Sequence, residues 1–198
     1  TSHQQAETAH IIAEALNAYV DDAELGVIVR ELKNWNGDHA KTLTAPSIYY
    51  NMLSQITYRS MQDEIGVTAL KSLHGTSVPK NSYHTFIANA SSPWWDDVRT
   101  KDKQESREDI LVESAQETIR LLKKICGNKP EQWTWGKIHT LTHPHAFKDV
   151  KPLNKFFNVG AFEVGGGNEV LNNLLFSIDT TGYFPVIGGP ALRKVTDF

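Results

Sequence analysis

The sequence predicts an α+β fold, with a mainly helical region over residues 1–130 and a small, mostly antiparallel sheet over residues 131–198. Three observations predict it. Before residue 130, three stretches place apolar side chains at three- and four-residue steps, the period of a helix with one buried face. After Lys129 the period drops to two: Ile138, Thr140 and Thr142 alternate with His139, Leu141 and His143. A glycine run, Gly165 to Gly167, then divides further short extended segments.

In chain order, Thr1 and Ser2 lead into a polar helix and suit its N-cap. Asp21 with Glu24 forms a capping-box pattern, and Leu25, Ile28, Val29 and Leu32 follow as one stripe. Asn36 and Gly37 break that helix. A second long helix is predicted to begin between Thr44 and Ser47, where Pro46 is tolerated in the first turn. Tyr49, Met52, Leu53, Ile56 and Ser60 form its inner face, and Gly66 its C-cap. Residues 75–95 read as irregular, punctuated by Pro79 and Pro93, with Trp94 and Trp95 closing a core edge. The mixed-sign run from Arg99 to Asp109 reads as a solvated loop and helix start. A helix over 104–126 follows, with Leu111, Ala115, Thr118, Ile119, Leu122, Ile125 and Cys126 inward and Gly127 at its end. Beyond the first strand, residues 169–178, 183–187 and 191–198 are the extended candidates. There is no internal repeat.

Bulk properties exclude several functions. Hydrophobic residues make up 40% and charged residues 22% of 198, ordinary globular composition with enough apolar side chain for a core. Twenty Lys and Arg face twenty-three Asp and Glu, and no segment is a basic stripe, so no nucleic-acid partner is predicted. No apolar run approaches twenty residues, so no membrane span is predicted. Cys126 is the sole cysteine and falls on the inner face of its helix, where an inert thiol is expected.

Three constellations invite chemistry. The run Gly165–Gly166–Gly167–Asn168 lacks the Lys-Ser/Thr pair of a phosphate loop, so it reads as a hairpin or bulge. His139, His143 and His145 could share a face, but Pro144 intervenes and no third ligand stands nearby, so no metal is assigned. A terminal Thr1 could attack with its own α-amine as base, but its setting fits an N-cap better. No catalytic residue, cofactor or metal ligand is therefore assigned from the residues alone.

Four segments resemble the penicillin amidase (penicillin acylase) family, in the family's order. Leu32 to Asp38, with Trp35, Asn36 and Gly37, is similar to its Leu-x-x-Trp-Asp-Gly turn, with Asn36 for the usual Asp. Ala45, Pro46, Ser47, Ile48 and Tyr49 resemble the helix that follows. Trp135, Gly136 and His139, with His143 and Pro144, resemble its Trp-Gly-x-x-His segment. Gly165, Gly166 and Val170, then Gly189 to Asp197, resemble its Gly-Gly strand and Gly-Pro-Ser-x-Arg stretch, with Ala191 for the Ser.

The resemblance implies a piece of the β-chain of an N-terminal nucleophile hydrolase acting on linear amides. In that family a serine exposed by self-cleavage attacks the amide, its α-amine acts as base, and an asparagine and backbone N–H groups hold the oxyanion. Those residues match positions upstream of this chain, and Asn172 and Asn173 do not match the oxyanion asparagine. The chain is thus expected to be truncated at both ends and inactive alone. Its expected partners are the rest of the same precursor, with a small acyl amide as substrate. A periplasmic or secreted location is implied by the resemblance. The alternative is a non-catalytic binding domain. Self-association through exposed sheet edges is also expected, with Phe156, Phe157, Leu174, Leu175, Phe176 and Phe184 losing cover.

Overall fold

A computed structural model describes residues 2–20, 22–74, 78–147, 150–152 and 157–190, with backbone only at 78–81. Six helices and two short strands are described. The helices are α1 (His3–Leu16), α2 (Ala23–Asn34), α3 (Ala45–His74), α4 (Val78–Ala88), α5 (Arg107–Cys126) and the single turn α6 (Trp135–Ile138). The strands β1 (Thr140–His143) and β2 (Val159–Glu163) pair antiparallel, with Thr140 opposite Glu163 and Leu141 opposite Phe162. The fold is α+β, as the change of period predicts.

Helix α3 is the centre. Every residue from Ala45 to Thr57 is buried, and α1, α2, α4, α5 and α6 all touch this helix or its partners. The predicted single inner face is therefore corrected: all faces are covered. Three of its buried polar side chains bond within or onto the helix, while Ser47 Oγ and Asn51 Oδ1 are buried without a hydrogen-bond partner among the described residues. Asn51 Nδ2 donates to Ser47 O, Thr57 Oγ1 donates to Leu53 O, and Ser54 Oγ donates to Asp179 O. Local satisfaction of this kind removes most of the penalty for burying a hydroxyl or amide. The helical path breaks at Gly66, the predicted stop, at φ 75° and ψ 160°, a conformation essentially restricted to glycine.

Helix α2 buries Leu25, Ile28, Val29 and Leu32, the predicted stripe. Its N-cap is Asp22, whose side chain accepts from Glu24 N; Asp21 lies outside the described residues. Helix α5 starts three residues later than read, at a capping box between Ser106 and Asp109, and ends at Gly127 with φ 114°. Glu24 and Lys123 pair across α2 and α5.

Three further readings are corrected. The region read as irregular contains α4, because Pro79 sits in a first turn, where its missing N–H has no helical partner to lose. Helix α1 is not a polar helix: Ala6, Ala9, Ile12, Ala13 and Leu16 are buried. The alternating segment does not become strand until Thr140, since Trp135–Ile138 closes a helical turn first. Strand β2 went unread, and its burial explains why: all five residues are exposed, so no apolar alternation marks them. Segment 169–178 contributes Asn173 and Leu175 to isolated bridges with Gly167 and Gly188, residues 183–187 form neither strand nor bridge, and segment 191–198 lies outside the described residues. Trp95 is buried while Trp94 is half exposed, so only one of the pair closes the core.

Candidate functional site

The distant motifs meet in one buried aromatic–histidine junction. It starts where α2 ends. The Trp35 indole N–H donates to Asp38 O at 2.7 Å, and Asn36 Oδ1 accepts from Asp38 N at 3.0 Å, closing a tight turn. Gly37 is required there: φ is +80°, and a Cβ would stand 2.2 Å from Ser2 O. Ser2 N donates to Gly37 O, so the same turn anchors the start of α1.

His39 follows, 4% exposed. Its Nδ1 lies 3.0 Å from Gly37 O and its Nε2 lies 2.9 Å from the Tyr50 hydroxyl. Burial, above all, lowers its pKa to about 4, so the ring is neutral at pH 7. A carbonyl oxygen can only accept, so Nδ1 carries the proton and Nε2 accepts from Tyr50. The whole chain Tyr50–His39–Gly37 thereby has one proton assignment.

The Trp135–His139 turn closes the junction from the other side. Trp135 N donates to Leu43 O and Gly136 N to Lys41 O, both at 2.8 Å. A Cβ on Gly136 would press on Glu163 and Lys41 at 3.0–3.1 Å. The Trp135 indole stacks between Tyr50 and His139, with centroids 5.2 and 4.6 Å away, and its N–H donates to Gly166 O. His139 Nδ1 donates to Phe184 O at 2.7 Å, and burial lowers its pKa to about 4 as well. Its Nε2 is a buried acceptor without a hydrogen-bond partner. Phe176 and Phe184 complete the cluster at 1% and 0% exposure. The expectation that they lose cover at a sheet edge is therefore corrected: they pack on Tyr50 and Trp135.

The glycine run lies over this cluster. Gly166 N donates to His39 O, and a Cβ on Gly165 would stand 2.7 Å from the same oxygen. Gly166 has φ +88°. The run is thus a close backbone approach rather than the hairpin or bulge read from the sequence, with Gly167 in an isolated parallel bridge to Asn173. Asn168 then holds Phe176 by both its N–H and its C=O. Outside it, Asp38, Ala40, Gly165 and Leu171 line an open cleft of about 280 Å³.

His139, His143 and His145 separate. His139 faces inward, while His143 and His145 are exposed and pack against Phe162 and Phe157. Thr1 lies outside the described residues. Cys126 is buried, which raises its thiol pKa. Asn173 is partly buried with a partnerless Oδ1, and Asn172 O accepts from Gly167 N. Thr8 and His84 form a hydroxyl–imidazole pair at 3.2 Å, but the Thr8 proton goes to Gln4 O at 2.8 Å, so this hydroxyl is not activated. His39, Tyr50 and Asn168 were missed by sequence reading. The usable signal was position: His39 closely follows the Trp-Asn-Gly turn, and Tyr50 adjoins the Ala-Pro-Ser-Ile-Tyr segment.

The penicillin amidase family model matches residues 1–198. The chain belongs to the penicillin amidase family. It is 27% identical over 178 residues to acyl-homoserine lactone acylase QuiP of Pseudomonas syringae pv. syringae, covering 84% of this chain and 21% of that protein. QuiP of Pseudomonas syringae pv. tomato is 26% identical over 174 residues, with the same coverage. QuiP of Pseudomonas aeruginosa is 25% identical over 128 residues, covering 57% of this chain and 14% of that protein. The chain thus spans about a fifth of the length of the first two relatives. The junction gives the family's separated motifs a shared physical role. They lock α2, α3, α6 and the glycine segment together around neutral, hydrogen-bonded rings.

Proposed function

We propose that the chain builds part of an amide-bond hydrolase whose nucleophile is carried by another segment of the same precursor. One observation carries this reading: the penicillin amidase family model extends over residues 1–198. The chemistry of the described residues agrees with a supporting role. The junction is buried and neutral, and the Thr8 hydroxyl beside His84 has its proton committed elsewhere. The names of the relatives favour acyl-homoserine lactones as substrates over penicillins. On the same reading the intact enzyme is periplasmic or secreted, and its remaining segments pack onto this one.

The chain alone is expected to hydrolyse neither phenylacetyl nor long-chain acyl amides. Turnover abolished by Thr1→Ala would place the chemistry on this chain and overturn the reading. Replacing the matched segment of the Pseudomonas syringae acylase with this chain should preserve acyl-homoserine lactone hydrolysis. A folded, self-processed chimera without turnover would favour a non-catalytic binding domain.

A further inference from the structure

A cleft of about 440 Å³ lies between the kinked end of α3, beyond Gly66, and residues 177–180. That volume suits a small molecule, since one water takes up only about 30 Å³. Two bonds tie its walls together. Ser54 Oγ, on α3 before the kink, donates to Asp179 O, and the His74 ring, at the helix end, donates to Ile178 O. The cleft is therefore formed by the fold itself.

The groups that line it are of three kinds. Val67, Leu70 and Ile178 make an apolar wall. His74 Nε2 is buried without a hydrogen-bond partner among the described residues, so the bond to Ile178 O is made by Nδ1. Burial lowers the His74 pKa, and a neutral ring protonated on Nδ1 leaves Nε2 as an acceptor. Lys71 and Asp179 add opposite charges; both are exposed, and they form no ion pair with each other. Asp179 Oδ1 accepts from Thr181 N and Thr181 Oγ1, which leaves Oδ2 for a ligand.

We propose that this cleft binds a free α-amino acid with an apolar side chain. The ammonium group donates to His74 Nε2 and Asp179 Oδ2, the carboxylate accepts from Lys71 Nζ, and the side chain lies along Val67, Leu70 and Ile178. A fatty acid brings a charge for Lys71, but its carboxylate offers His74 no donor and is repelled by Asp179. An alkylamine satisfies His74 and Asp179 and leaves Lys71 unmatched. A zwitterion meets both charges and the bare acceptor at once. The site is independent of the amide-hydrolysis reading, because none of its groups is required to act on an acyl carbon.

The test is NMR titration of the chain with leucine at pH 7, with N-acetyl-leucine, which lacks the ammonium, and leucinamide, which lacks the carboxylate, as controls. Saturable shifts at the His74 ring and the Leu70 methyls are expected for leucine, with at least tenfold weaker binding of either control. Lys71→Met and Asp179→Asn should each weaken leucine binding roughly tenfold, which is about 1.4 kcal/mol. Both side chains are exposed, and asparagine keeps the Oδ1 acceptor for Thr181, so urea midpoints should stay at the wild-type value. Equal binding of leucine and its two derivatives would mean that the cleft takes apolar groups without reading charge, and would overturn the proposal whatever the variants do. Leucine binding unchanged in both variants would overturn it as well. So would the absence of any saturable shift in the folded wild-type chain, which would leave the cleft to solvent.

Discussion

His39 and His139 show what burial does to a titratable ring. Each has its Nδ1 proton fixed by a backbone carbonyl, and each is held neutral by desolvation, with a folded pKa of about 4. In the unfolded chain both return to the ordinary value of 6.5. The unfolded state therefore binds more protons between those values, and stability rises with pH through that window. The contribution is fully present above about pH 6.5 and is lost as pH falls toward 4, by about 3 kcal/mol for each ring. Glu64 acts with opposite sign, since desolvation and Asp63 push its pKa up to about 7, but it is exposed and its effect is screened. In a Glu64→Gln background the urea midpoint should be flat from pH 8 to about 7 and fall steeply to pH 5. His139→Asn should remove a large part of that fall. A midpoint unchanged between pH 7 and 5 would show that these rings already accept protons in the folded state.

At the scale of elements, what the sequence made legible depends on where polar groups find partners. The stripes of α2 and α5 were readable because their solvent faces are charged and their inner faces are not. Helix α3 was only half readable. Ser47, Asn51, Ser54 and Thr57 look like a solvent face, yet they are buried, and three of them make bonds that permit it. The junction was illegible to periodicity, because Tyr50 meets His39 and Trp135 meets Gly166 across long separations. Only the order of the family motifs pointed there. Gly66 isolates one readable determinant. A Cβ there would meet nothing within 4 Å, so packing places no bar on a side chain. Its φ of +75° with ψ 160° does. Gly66→Ala is expected to destabilise the chain by about 1–3 kcal/mol through backbone strain alone. Thermal and urea unfolding measure it. A neutral or stabilising result would mean that the break in α3 relaxes to continuous helix.

Across the whole molecule, cover is uneven, and the unevenness predicts behaviour in solution. The helical core buries its large rings, whereas the β1–β2 ribbon stands largely exposed. Phe147, Phe157, Val159 and Phe162 are each between 44% and 54% exposed. The inner edge of β1 is partly covered, since Val186 N donates to Thr140 O. Among the described residues no strand pairs with the outer edge of β2. A two-stranded ribbon is marginal in water, an open edge presents unpaired N–H and C=O groups, and clustered apolar surface favours association. The chain by itself is therefore expected to self-associate through β2, with a sedimentation coefficient that rises with concentration. Phe162→Lys should return it to monomer while leaving the helical unfolding transition in place, because β2 contributes nothing buried to the core. Hydrogen exchange should find the strongest protection in residues 45–57 and weak protection in 159–163 at low concentration, increasing as the chain associates. A monomer at all concentrations, with strong protection in 159–163, would show that this ribbon is stable without a neighbour.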